Sequence, residues 1–210
     1  MGAEILSLIA IHGQAGMGKD TLADYLAKKL NKGKKKDWTR AAFANSVKTL
    51  FCESFGYTRE FVEEWKRKEE KPDSLNVTVR QALQKIGDGF REIRSDIWID
   101  LALKQPGKLI ISDGRYINEA KKVKEKNGIN ILVYRSGFLN DDPNPSEATL
   151  KPLLSHCNGL IPDGKIYHGT LVRYPEGLDH YDLFIRNDGE LADFYKKIDK
   201  LVMPYIKAKL

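Results

Sequence analysis

A hydrophobic run that stops at a cluster of glycines leaves a chain few ways to fold. Residues 4 to 27 read EILSLIAIHGQAGMGKDTLADYLA. The apolar run is far too short to span a bilayer and suits a buried strand. From Lys19 onward, apolar residues recur at Leu22, Ala23, Leu26 and Leu30, the spacing of one helix face. Strand, tight glycine turn and helix in that order form the setting in which the pattern G-x-x-x-x-G-K holds phosphate. Gly13, Gly18 and Lys19 match the pattern, and Gly16 adds a third glycine. Such a loop points successive backbone N–H groups inward, and the N-terminus of the following helix adds its dipole. Lys19 contributes a point charge for the outer phosphates. Ala15 and Met17 fill variable positions, so the expected phosphate-binding set is Gly13, Ala15, Gly16, Met17, Gly18, Lys19, Asp20 and Thr21.

Asp20 departs from the pattern, which asks for Ser or Thr directly after the lysine. A carboxylate is a hard oxygen ligand of the kind Mg²⁺ prefers, so Asp20 is a candidate metal ligand. It is equally readable as an acidic residue in the first helical turn, worth about 0.3–1 kcal/mol. Thr21 keeps a hydroxyl within reach of a phosphate.

Further strands are expected at TRAAFAN, KLIISDGR, INILVYRSG and YDLFIRNDG. Helices are expected at SVKTLFCESFG with Ser46 as cap, at TREFVEEWKRKEEKPD, and at TVRQALQKIGDGFREI. Others are expected at SDIWIDLALKQPG and YINEAKKVKEKNG, and from Glu190 to the C-terminus. Alternation of strands and helices predicts an α/β fold, with a parallel sheet covered on both faces. One domain, 1–210, is expected, with a helical insert at about 45–105 and an irregular lid at about 137–180. Both inserts should lie at the carboxyl edge of the sheet, where such folds bind ligands.

Asp113 ends a buried strand and could orient metal-bound water or accept a proton; Arg115 could fork onto a phosphate. Glu119 stands one turn further on and could pair with an arginine. Arg91 and Arg94 are three apart, share a helix face if the helix continues, and could take a phosphate together; they read as well as a solvated face. Lys48 and Arg80 are the other cations of the insert. Arg135 closes a strand before the lid and Arg173 lies inside it, places from which arginines neutralise a transferring phosphoryl group. His156, Cys157, His168 and His180 lack the spacing of a zinc site. Trp65 and Trp98 read as packing residues.

Charge and cysteine content narrow the class. A net charge of +6 and a pI near 9.1 permit nucleic acid as a partner, and equally suit a site that gathers phosphates. Part of the excess sits in NKGKKKD, read as a solvated loop. Cys52 and Cys157 form no disulfide framework, which suits a reducing cytoplasm. The N-terminal apolar run feeds directly into the glycine loop, so it reads as a strand and not a signal peptide.

Taken together, GQAGMGKDT, FANSVKTLF, TVRQALQKIGDGFR with DIWI after it, ISDGRYINEA, PSEATL and YDLFIRNDGEL resemble the deoxynucleoside monophosphate kinases of the bacteriophage type. The resemblance runs from the first strand to the last helix. It implies the nucleoside monophosphate kinase fold of the P-loop class: a three-layer arrangement with a five-stranded parallel sheet, an acceptor-binding insert and a lid. It implies transfer of the ATP γ-phosphoryl group to a deoxynucleoside 5′-monophosphate with Mg²⁺, in a cytoplasm that is the host's if the chain is phage-encoded. Lys19, Asp113, Arg115 and Arg135 would be catalytic, and Asn187 would lie near the ATP base. Lys48, Arg80, Arg91, Arg94 and Glu119 would serve the acceptor, and Asp20 the metal. Relatives of this type suggest a homodimer; no membrane partner is expected from the short apolar runs, and nucleic acid is a possible partner that is not favoured. The alternatives are a kinase for another phosphorylated metabolite or for a modified base in DNA, and a nucleotide-binding module without catalysis.

Overall fold

The computed structural model describes residues 7–33, 37–140, 144–160 and 177–210, with only the backbone described for 156–160. In chain order the elements are β1 (Leu8–His12), α1 (Lys19–Leu30), β2 (Trp38–Ala41), α2 (Ala44–Phe55), α3 (Arg59–Trp65) and α4 (Val79–Ile93). They continue as α5 (Ile97–Ala102), β3 (Lys108–Gly114), α6 (Ile117–Glu125), β4 (Ile129–Tyr134), α7 (Pro145–Ala148) and α8 (Lys151–Leu160). Last come β5 (Leu183–Arg186), α9 (Leu191–Lys197), a π-helical turn over Ile198–Val202, and α10 (Met203–Lys209). The chain divides into two compact units, Met1–Ala41 with Pro106–Leu210, and Ala42–Gln105.

The first unit carries a five-stranded sheet in the order β2-β3-β1-β4-β5, with every pairing parallel. β1 is central and every one of its residues is buried, as a strand covered on both faces requires. β3 flanks it on one side and β4 on the other, so successive crossovers run in opposite directions from β1. The carboxyl ends of β1, β3, β4 and β5 therefore deliver their loops to one edge, around a topological switch point. Ala10 faces Ile111, but His12 faces Gly114, so Ser112 and Asp113 together oppose a single residue of β1. Such a bulge re-aims side chains at the end of a strand.

The core of this unit joins Ile9, Ile11, Leu22, Leu26, Ile110, Ile131, Val133, Phe184 and Ile206, all fully buried. Each such side chain contributes about 1.5–3 kcal/mol of hydrophobic stabilisation. Leu150, Leu153 and Leu154 belong to the same core. Residues 145–160, expected to be irregular, are instead helical and their first half is anchored. Pro145 occupies the first helical turn, and the Asn144 side chain accepts the Ser146 N–H at 2.9 Å. Within the C-terminal helix, Pro204 cannot donate to the carbonyl one turn back, and the π-helical turn directly precedes it.

The second unit is helical and has its own core of Phe51, Val62, Leu75, Val79 and Ala82. Thr58 caps α3, and Thr78 with Gln81 forms a reciprocal capping box at α4. Two expectations fail here. α2 begins at Ala44 without a side-chain cap, so Ser46 lies inside it. α3 stops at Trp65, because the following KRKEEK has no apolar face to bury. The last turn of α4 leaves Phe90 37% and Ile93 81% exposed. No helix among the described residues is long and apolar enough to cross a membrane.

His12, at the end of β1, is fully buried. Asn130 Nδ2 donates to the carbonyls of Ala120 at 2.7 Å and His180 at 2.9 Å, so its Oδ1 must accept from His12 Nε2 at 2.8 Å. Burial, opposed by that hydrogen bond and reinforced by the charge of Lys19, pushes the imidazole down to about 4. The folded protein holds His12 neutral while the unfolded chain protonates it below about 6.5. Stability is thus lost as pH falls from about 6.5 to about 4, by roughly 3 kcal/mol from this group. Urea unfolding at pH 7 and 4.5 should show His12→Gln losing much less stability on acidification than wild type. Equal losses would contradict the assignment.

Candidate nucleotide site

The loop between β1 and α1 is built on glycines in left-handed backbone. Gly13, Gly16 and Gly18 have φ of 143°, 81° and 97°. Gly18 is constrained twice, because a Cβ there would stand 2.4 Å from Asn187 Nδ2. That amide donates to the Met17 carbonyl at 3.0 Å, so the end of β5 props the loop from behind. Asn187 is 7% exposed and Met17 fully buried. The Gln14 side chain, also buried, donates to the Glu147 carbonyl at 2.7 Å and accepts from the Asn140 N–H at 3.0 Å. The Ala15 N–H donates to Glu147 Oε2 at 3.0 Å.

Lys19 is 6% exposed, and its Nζ donates to the Gln14 carbonyl at 2.7 Å. Burial, with the charge of Arg115 adding to it, brings the ammonium down to about 7; Asp113 and Asp20 oppose the shift. Asp113 and Arg115, at and just beyond the end of β3, therefore both act on Lys19. Glu119 is 2% exposed, and its Oε2 accepts the backbone N–H groups of Arg115 at 2.8 Å and Tyr116 at 3.1 Å. Glu119, expected to serve the acceptor, fixes the backbone at Arg115 through this oxygen.

Asp20 lies at the start of α1 with its side chain 80% exposed, paired with Arg40 at 2.6 Å. Arg40, at the end of β2, also reaches Asp24 at 2.5 Å and Ser112 Oγ at 2.8 Å. Thr21 occupies the first turn of α1 and is partly exposed. Arg135 lines a recess of about 530 Å³ with Ser136, Phe138, Asn187, Asp188 and Gly189. This recess abuts the loop, since a Cβ on Gly16 would lie 3.5 Å from the Phe138 ring. Asp188 Oδ1 accepts the Ser136 N–H at 2.7 Å, which ties the β4 and β5 loops together.

The remaining expected residues lie in the helical unit. Lys48 donates to Glu63 at 2.6 Å; Lys66 and Arg59 also pair with Glu63. Burial opposes but the cations prevail, holding the Glu63 carboxyl down to about 2. Arg80 is exposed on α4, and Arg91 lies 3.6 Å from Asp88. Arg94 does not share a helix face with Arg91, because its backbone is extended (φ −152°, ψ 111°) and α4 ends before it. Arg94 pairs with Asp100 at 3.5 Å. The lid residues Arg173 and His168, and the side chains of His156 and Cys157, lie outside what is described. Sequence reasoning missed Arg40, Phe138, Asp188 and Glu147. Phe138 and Asp188 follow strand ends and were findable on that ground; Arg40 and Glu147 carry no motif of their own.

A curated protein of Acanthamoeba polyphaga mimivirus is 32% identical over 174 residues, covering 73% of this chain and 87% of that protein. It is named, by inference, a deoxynucleotide monophosphate kinase. The chain belongs to the deoxynucleotide monophosphate kinase family. Membership makes it a kinase of the P-loop type. No family model matches the sequence. Among solved structures, a dephospho-CoA kinase from Campylobacter jejuni gives a TM-score of 0.46 at 15% identity, covering 97% of this chain and 98% of that one. A shikimate kinase from Acinetobacter baumannii, in complex with shikimate, gives 0.47 at 16% identity, covering 95% and 94%. The fold itself rests on the parallel sheet and its strand order.

A methyl group at position 18 would have to displace the Asn187 amide and adopt a left-handed conformation. Gly18→Ala should therefore weaken nucleotide binding at least ~10-fold, measured by calorimetric titration, and lower the melting temperature. Unchanged affinity would contradict the role given to the Asn187 prop.

Proposed function

We propose that this protein transfers the γ-phosphoryl group of ATP to a deoxynucleoside 5′-monophosphate. The observation that carries the reading is Lys19, a buried ammonium on a glycine loop at the carboxyl edge of a parallel sheet. The mimivirus relative's name, deoxynucleotide monophosphate kinase, supplies the acceptor class.

In-line phosphoryl transfer asks mainly for positioning and charge neutralisation. The loop amides and Lys19 hold the donor phosphates. Arg115, whose side chain is 27% exposed, would meet the transferred group. Phe138, 40% exposed in the recess with Asn187, offers an aromatic face for the donor base. Arg135, in the same recess, balances donor charge.

The donor set fits Mg²⁺. Asp20 and Asp113 both act on the Lys19 charge, and carboxylate oxygens are the ligands this ion takes. These two residues would hold it, and it would neutralise charge on the phosphates. Asp20 would leave Arg40 to do so.

A coupled assay with ATP and the deoxynucleoside monophosphates, run beside ribonucleoside monophosphates and duplex DNA, tests the proposal. At least one free deoxynucleoside monophosphate should be converted to the diphosphate. Lys19→Ala should lower that rate at least ~100-fold with an unchanged circular dichroism spectrum. Transfer to duplex DNA alone, or to no nucleotide, would overturn the reading.

A further inference from the structure

Glu147 is a fully buried carboxylate in the first turn of a short helix, 128 positions from Lys19 in the chain, and phosphate binding gives it no task. Both of its oxygens face the nucleotide site. Oε1 pairs with the Arg115 guanidinium, and Oε2 accepts the Ala15 N–H of the glycine loop at 3.0 Å. Its own carbonyl accepts from the Gln14 side chain at 2.7 Å. Arg115 is held at its other end too, since Glu119 Oε2 takes its backbone N–H at 2.8 Å.

We infer that Glu147 is a positioning residue, which holds the Arg115 guanidinium against the glycine loop so that it meets the transferred phosphoryl group without reorganising. The inference rests on the phosphoryl transfer proposed above. A buried carboxylate is costly unless its partners are close and well oriented, and here one is a catalytic cation and the other the loop itself. A single side chain thus fixes the distance between the two parts of the donor site. An arginine left to sample rotamers would have to be ordered in each turnover, which slows the chemical step.

Glu147→Gln separates positioning from mere support, because the glutamine oxygen still accepts the Ala15 N–H while the ion pair is lost. Transfer should slow ~30-fold in kcat with KM for ATP within about threefold, since the loop amides are kept. Glu147→Asp, which keeps the charge, should recover part of kcat. Arg115→Ala combined with Glu147→Gln should be no slower than Arg115→Ala alone. Equal changes in kcat and KM or additive losses would overturn the inference. Failure of both Glu147→Gln and Glu147→Asp to fold would do the same, by making the carboxylate a requirement of folding. If the wild type phosphorylates no deoxynucleoside monophosphate, the proposed function falls. The same comparisons read on acceptor-free ATP hydrolysis then still decide the role of Glu147.

Discussion

An ammonium group held almost out of water is the constraint around which the nucleotide site is arranged. Desolvation disfavours the charged form of Lys19, and burial brings it down to about 7. Its Nζ donates to the Gln14 carbonyl of its own loop at 2.7 Å. Such a group favours any anion that enters the loop, because a phosphate returns the stabilisation that water would have supplied. The flexible stem of a lysine suits a point charge of this kind. The surrounding charges tune it in opposite directions: Arg115 lowers it further, while Asp113 and Asp20 restore it.

That arrangement follows from the sheet. With β3 and β4 on either side of β1, four strand ends open onto one edge. The bulge of β3 opposite Ile11 sends Ser112 and Asp113 out together, and Gly114 then packs directly on the His12 ring. A Cβ at Gly114 would stand 2.2 Å from His12 Nδ1, so the close approach depends on the missing side chain. Behind the loop, Asn187 supports Met17, Gln14 reaches the 140–147 segment, and Glu147 closes the circuit onto Arg115. The loop is held from three sides by side chains of low exposure.

The parts of this site that local physics determines were legible in the sequence. β1, the glycine loop and α1 announce themselves by an apolar run, three glycines and a 3.6-residue period within 24 residues. β3, β4 and β5 are apolar runs that end in polar residues. What depends on distant partners was hidden. Glu119 was read as a possible partner of an arginine, and its Oε2 turns back onto two backbone amides. Glu147 lies in a stretch whose Asn, Pro and Gly content reads as loop, though Leu150, Leu153 and Leu154 draw it into the core. Arg94 follows α4 closely enough to extend its pattern, and only the backbone turn at that residue removes it from the helix face. Asp20 was weighed between metal and helix dipole; Arg40, twenty residues away on β2, adds an ion pair that neither reading contained.

The most direct test of the account is the proton balance of nucleotide binding. If Lys19 sits near 7 in the free protein and is fully protonated against phosphates, ATP binding at pH 8 should take up about one proton. Calorimetric titrations in two buffers of different ionisation enthalpy read that number directly. Uptake near one proton per site, falling toward zero at pH 6, is the predicted result. The same binding enthalpy in both buffers at pH 8 would contradict a Lys19 ammonium that burial lowers in the free protein and phosphates restore.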